Sequence, residues 1–175
     1  MSTERIEVYA DALFAVARAE GNLSEVEDEL FRFARVLQGS DEMRDKLTDP
    51  HIPAAVRVQI VEDLLGGKAQ PSTIGLVSMV VGNDRARELP SIVDRMVSKS
   101  AAAADKEVAE VRTAVPLSPD QIARLAEALG KSTGKQVEVK VIIDPTIKGG
   151  VIAQIGDTVI DGSVRRRLEQ LRNAL

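Results

Sequence analysis

The stretch I-K-G-G-V-I-A-Q-I-G-D-T-V-I-D-G-S-V-R-R-R-L, residues 147–168, decides how the chain is read. It holds the ingredients of a phosphate or nucleic-acid site: glycines, acids and an arginine triplet. The same letters also spell a fold signal. Residues 151–155 read as a strand, Gly156-Asp157 as a hairpin turn and residues 158–160 as the partner strand. Asp161-Gly162-Ser163 then reads as the cap of a helix whose Val164, Leu168, Leu171 and Leu175 step by 4, 3 and 4.

Upstream of this stretch the texture stays mixed. Residues 107–115 are rich in Val and alternate at Val111, Thr113 and Val115, which predicts a strand. Ser118-Pro119-Asp120-Gln121 places Ser at a helix cap, Pro at the first position and Gln at the third. Ile122, Leu125 and Leu129 give that helix its face, and Gly130 is expected to close it. Val137, Val139 and Val141 alternate with charged residues as a half-buried strand. Residues 106–175 therefore read as a small βαβββα domain, thin enough to need something to dock against.

Residues 1–105 read as helices throughout. Ile6, Ala10, Leu13 and Ala17 recur at helical spacing, and Tyr9 and Val16 widen the stripe beyond one seam. Ser24-x-x-Glu27, with Leu23 before it, looks like a capping box and staple for a second helix carrying Val26, Leu30, Phe33 and Leu37. A short segment over 41–47 precedes Asp49-Pro50-His51-Ile52-Pro53, and Pro53 suits a first helical position. The next helix stops at Gly66-Gly67. The one after it opens at Pro71 or Ser72 and is apolar almost all round, so it is expected to lie centrally or under a partner. Gly82-Asn83 ends it, and Pro90 restarts the last helix. The fold class expected is α+β: an N-terminal six-helix bundle over 1–105, then the βαβββα domain over 106–175.

The totals agree with this division. Of 175 residues, 44% are hydrophobic but only 2% aromatic, so Ala, Val, Leu and Ile must fill the core. The chain has no Trp and one Tyr, which disfavours a base-stacking surface. It has no Cys, so disulfides, thiol catalysis and thiolate metal sites are excluded. No secretory leader pattern or apolar run of about 20 residues is visible, and a soluble chain is expected. Residues 1–105 carry 18 acids and 12 bases, residues 106–175 carry 9 acids and 11 bases. That asymmetry suggests different partners for the two parts and is too mild for nucleic acid.

Each chemical reading meets a structural competitor. Gly66-Gly67-Lys68 lacks the spacing and the Ser or Thr of a phosphate loop, and it reads as a helix end. Gly149-Gly150 reads as a turn after Asp144-Pro145. Asp144, Asp157 and Asp161 have turn or capping roles and not the loop spacing of a cation site. His51 is the single histidine, between two prolines in a connector. Arg165, Arg166 and Arg167 span about 200° of a helix and read as a solvated or partner-facing surface. No catalytic residue, metal ligand or cofactor is expected.

The run 144–171, D-P-T-I-K-G-G-V-I-A-Q-I-G-D-T-V-I-D-G-S-V-R-R-R-L-E-Q-L, resembles the C-terminal signature of the F-type ATP synthase delta subunit family, which includes the oligomycin-sensitivity-conferring protein. Y-A-D-A-L-F-A-V-A (9–17) is similar to the family's first helix, and G-N-D-R-A-R-E-L-P (82–90) to its break between fifth and sixth helices. The resemblance implies a non-catalytic stator subunit on the cytoplasmic face of a bacterial cell membrane, touching the membrane only through the complex. It implies that the N-terminal bundle grips an N-terminal helix of an alpha subunit between its first and fifth helices. Carried onto this sequence, that site falls on Tyr9, Ala12, Leu13, Val26 and Met79. It also implies that the C-terminal domain meets a b-type stalk subunit, for which Arg165, Arg166, Arg167 and Leu171 are the candidates. No nucleic acid or small-molecule substrate is implied. An RNA-binding bundle and a phosphate-binding enzyme are the competing classes, the first opposed by the acidic N-terminal half.

Overall fold

The computed structural model describes residues 3–162, and the chain falls into two compact units, Met1–Ser100 and Ala101–Leu175. The fold is α+β. The first unit contains α1 (Thr3–Ala19), α2 (Leu23–Gly39), α3 (Asp41–Thr48), α4 (Ala54–Leu65), α5 (Pro71–Gly82), a 3-10 turn (Ala86–Glu88) and most of α6 (Leu89–Ala103).

Helical spacing of apolar side chains builds its core. Ala10, Leu13 and Ala17 of α1 are fully buried, and so are Val26, Leu30 and Ala34 of α2. Val77, Val80 and Val81 of α5 and Ile92, Val93 and Met96 of α6 complete it. Small and branched side chains at these positions let helix axes approach closely, as a chain almost without aromatics must.

Two helix starts differ from the sequence reading. The cap of α2 is Asn22, and Ser24 lies within the first turn, so the expected Ser24–Glu27 box does not form. The Asn22 amide instead donates to the Ser72 hydroxyl on α5 at 3.1 Å, a tertiary contact that fixes the chain two residues earlier. Pro53 is the cap of α4 and not its first residue. By contrast Pro71 does occupy the first turn of α5, and Ser40 caps α3 by accepting from the Met43 N–H.

The second unit contains β1 (Glu107–Thr113), α7 (Pro119–Thr133), β2 (Val137–Ile143), β3 (Val151–Ile155) and β4 (Thr158–Asp161). The sheet order is β2-β1-β3-β4, with β1 parallel to β2 and antiparallel to β3, and β3 antiparallel to β4. The parallel β1–β2 pair needs a crossover, and α7 supplies it. Ala109, Val111, Ala153 and Ile155 share one sheet face and pack with Leu129 of α7.

Within the opening stretch, the β3–β4 hairpin pairs Ile155 with Thr158 across Gly156-Asp157. Gly156 has φ +54 at the first turn position, the arrangement of a II′ hairpin, which glycine adopts without a Cβ clash. The reciprocal cap at Ser118 and Gln121 is present. Yet α7 passes Gly130 and ends at Gly134, φ +73. A Cβ on Gly130 would lie 2.9 Å from the Lys135 carbonyl oxygen, so this glycine serves the returning chain and does not stop the helix. The helix expected after residue 162 lies outside the described residues.

Candidate partner-binding groove

The α5 sequence P-S-T-I-G-L-V-S-M-V-V-G has no charged residue. Thr73, Leu76, Val77, Val80 and Val81 turn inward, whereas Pro71, Gly75 and Met79, at steps of four, are exposed. A surface helix usually carries charge on its wet face. This one shows water an uncharged stripe instead, so it is neither central nor conventionally solvated.

Beside it, α1 has the same character. Val8, Ala12, Ala15, Val16 and Ala19 lie on one exposed face. Val8 is 62% exposed, Val16 40% and Met79 37%. The register between the two helices is set at one end by polar side chains. Ser72 of α5 donates to the Glu20 carboxylate that follows α1 and accepts from Asn22 at 3.1 Å. Because Val16 is four residues before Glu20 and Ala12 four before that, this edge of α1 runs alongside α5. Met79, seven residues after Ser72, lies on the α5 edge facing it. Ala12 and Val16 of α1 and Gly75 and Met79 of α5 are thus exposed, uncharged residues on two neighbouring helices.

The far side of α1 is held by ions. Glu7 accepts from Arg95 and, at 2.8 Å, from Lys99, and Asp11 also accepts from Lys99. The Lys99 ammonium, and after it Arg95, hold the Glu7 carboxyl below the usual glutamate range. Asp11 and then Glu7 hold the Lys99 ammonium above the usual lysine range. These charges anchor α1 to α6 and leave the opposite edge apolar.

The expected groove residues separate in the structure. Ala12 and Met79 are exposed and Tyr9 is half-buried. Leu13 and Val26 are wholly buried in the core, because each lies on the inward stripe of its helix. Val8, Val16 and Gly75 are exposed on these faces and are not among the expected groove residues, although the sequence reading has Val16 widening the α1 stripe. For Gly75 the signal is the absence of any charged residue in α5. Arg165, Arg166, Arg167 and Leu171 lie outside the described residues.

The rejected chemical motifs have local partners. Gly66 caps α4, and Lys68 N–H closes the following turn onto the Leu65 carbonyl at 2.9 Å. Asp49 accepts from the His51 N–H at 2.8 Å and from its ring nitrogen at 2.9 Å, and these bonds, the backbone one first, lower the Asp49 pKa. Asp144 accepts from the Thr146 hydroxyl and N–H, which lowers its pKa and shapes the turn before β3. Among the described residues no three His, Asp or Glu side chains gather as a metal site requires, and no helix is long and apolar enough to cross a membrane.

The profile of the family described as the ATP synthase delta (OSCP) subunit matches residues 6–175. The chain belongs to that family. Proteins named ATP synthase subunit delta are similar along nearly all of it. That of Salinispora tropica is 42% identical over 164 residues, covering 94% of this chain and 60% of the relative. That of Frankia casuarinae is 41% identical over 170 residues, covering 97% and 62%. That of Nocardia farcinica is 41% identical over 165 residues, covering 94% and 61%. The chain thus spans about 60% of the length of the curated relatives it matches. The fold is also similar to a chain in the cryo-EM structure of the Toxoplasma gondii mitochondrial ATP synthase hexamer. The TM-score is 0.56 at 24% identity, with 99% of this chain and 97% of that chain covered.

Proposed function

We propose that this chain is a non-catalytic stator subunit of an F-type proton-translocating ATP synthase. It ties the soluble catalytic head to the membrane-anchored peripheral stalk, so that rotor torque is resisted and drives ATP synthesis. The observation that carries the reading is the charge-free exposed stripe of α5 beside the apolar edge of α1, in a chain of the delta (OSCP) family. An amphipathic helix laid between α1 and α5 would cover both at once, the helix-in-groove mode of recognition. The guest is the N-terminal helix of an alpha subunit, held by Tyr9, Ala12, Val16 and Met79, with Leu13 and Val26 as the packed layer beneath.

Residues 1–105 are the head-binding part and residues 106–175 the stalk-binding part, arranged for the full chain as a six-helix bundle and a βαβββα unit. The partner of the second part is a b-type stalk subunit, with Arg165, Arg166, Arg167 and Leu171 as its contacts. The protein sits at the cytoplasmic face of a bacterial membrane through these partners. Its task is mechanical: an interface of ordinary size, roughly 1,600 Å², resists torque when apolar anchors dominate it. It needs no catalytic group, cofactor, nucleic acid or small-molecule substrate.

Titration of the full chain with a peptide of the alpha-subunit N-terminus tests the reading. Saturable binding, weakened at least tenfold by Met79→Asp, is expected. A chain that neither binds this peptide nor restores attachment of stripped catalytic heads to membranes overturns it.

A further inference from the structure

Gly75 is the fifth residue of a twelve-residue helix, where glycine is the poorest helix former after proline. Three internal reasons could retain it, and none applies. Its φ is not positive, so the backbone does not require glycine. A Cβ built at Gly75 meets nothing within 4 Å, so no neighbour excludes a side chain. The residue lies inside the helix and does not cap it. Other helical glycines of the chain are different. A Cβ on Gly130 would meet the Lys135 carbonyl oxygen at 2.9 Å, and Gly39 and Gly82 are the last residues of α2 and α5. Gly75 is exposed, and Pro71, Ser78 and Met79 surround it at the i−4, i+3 and i+4 positions of the same helix. Together these four form the outline of a hole of the kind that receives one side chain of a facing helix.

We infer that Gly75 is kept free of a side chain by the partner and not by the fold: it is the floor of a hole in which the guest helix seats one bulky apolar side chain, between Met79 and the α1 wall. This rests on the groove reading above and adds to it the point of closest approach and the chemistry required there. Met79 is one turn after Gly75 on α5, and Val16 is exposed on the neighbouring helix α1, so of these positions the glycine alone offers a guest no side chain to displace. A polar or charged guest residue at that point would lose its water against an uncharged wall. The guest must therefore be a helix with a large aliphatic or aromatic residue at its crossing point. Gly75 is thus a specificity-determining position: it selects for bulk on the partner by supplying none itself.

The test compares the unaltered full chain with Gly75→Ala and Gly75→Leu in two measurements. In thermal unfolding, Gly75→Ala is expected to raise the midpoint, since a better helix former replaces glycine in open space, and Gly75→Leu is expected to stay folded. In titration with the alpha-subunit N-terminal peptide, Gly75→Ala is expected to weaken binding several-fold and Gly75→Leu at least fiftyfold. A Gly75→Leu chain that binds like the unaltered one overturns the inference and leaves the groove reading standing. A lowered midpoint for Gly75→Ala also overturns it, by giving the glycine an internal role. An unaltered chain that ignores the peptide overturns the groove reading and this inference with it.

Discussion

The guanidinium of Arg57, on the buried side of α4, donates to the carboxylate of Asp84 in the connection between α5 and α6. Its other terminal nitrogen reaches the carbonyl of Leu47, at the end of α3, at 3.5 Å. One side chain thus joins three segments. Asp84 itself has φ +59, a left-handed conformation that Asp tolerates better than most residues. The Arg57 side chain is only 5% exposed while that of Asp84 is 72% exposed, so the pair is a buried cation reached by a surface anion.

Removing both charges should therefore cost less than the two separate removals added together. Asp84→Asn, which keeps the backbone conformation, is expected to destabilise by about 2 kcal/mol, the scale of a hydrogen bond to a charged group. Combined with Arg57→Met, the loss should be smaller than the sum of the two single losses, because no unpaired cation remains. Urea unfolding of the four chains measures this. Additive losses would show that Arg57 and Asp84 do not act as a pair.

A second prediction separates wall from core at the groove. Met79→Ala should change stability by no more than about 0.5 kcal/mol, as exposed positions usually do, yet weaken peptide binding. Leu13→Ala should destabilise by about 2–5 kcal/mol through the cavity it leaves. At temperatures where that variant remains folded, its groove surface should still bind. Unfolding curves and peptide titration on the same samples make the comparison. A stability loss at Met79 as large as that at Leu13 would mean that the exposed face of α5 is in fact packed.

Much of the fold was legible because periodicity and turn chemistry agree. The II′ hairpin at Gly156 and the box at Ser118 are local, so their letters suffice. The errors share another cause. Ser24 looks like a cap, but Asn22 is drawn to Ser72, fifty residues away, and no window on α2 contains that information. Gly130 looks like a stop, but the chain returning at Lys135 explains it. At the groove, the spacing of Ile6, Ala10, Leu13 and Ala17 already marks the inward stripe of α1, whereas the family resemblance puts Leu13 at the guest. Leu13 and Ala12 are adjacent in sequence and opposite in exposure. The Arg57–Asp84 pair was invisible, since the G-N-D-R stretch does not reveal what its Asp meets.

The Ser118–Gln121 box gives a third prediction. Ser118 accepts from the Gln121 N–H at 3.3 Å, and the Gln121 side chain returns the bond to the Ser118 N–H at 2.8 Å. Ser118→Ala should cost about 1 kcal/mol, and Gln121→Ala on the Ser118→Ala background should cost less than it does alone, since half of the box is already gone. Hydrogen exchange of the first amides of α7 should rise in both variants. Unchanged exchange there would show that the crossover helix is held by its packing on the sheet alone.

The clamp of Glu7, Asp11, Arg95 and Lys99 gives α1 a dependence on pH. Glu7 has a lowered pKa in the folded chain, chiefly through Lys99. Its contribution is present above the ordinary glutamate pKa and is lost as pH falls through the lowered folded value. Lys99 has a raised pKa, chiefly through Asp11, so its contribution is present below the ordinary lysine pKa and is lost as pH rises through the raised folded value. Between those limits both bonds hold α1 on α6 while its other edge stays open to a guest. Lys99→Met removes the first cause of the Glu7 shift but leaves Arg95. The Glu7 carboxyl should then titrate closer to an ordinary glutamate, and the loss of thermal stability on acidification should become shallower. NMR titration of Glu7 in both chains is the direct check. An unchanged Glu7 titration would assign the shift to Arg95 and leave Lys99 bound to Asp11 alone.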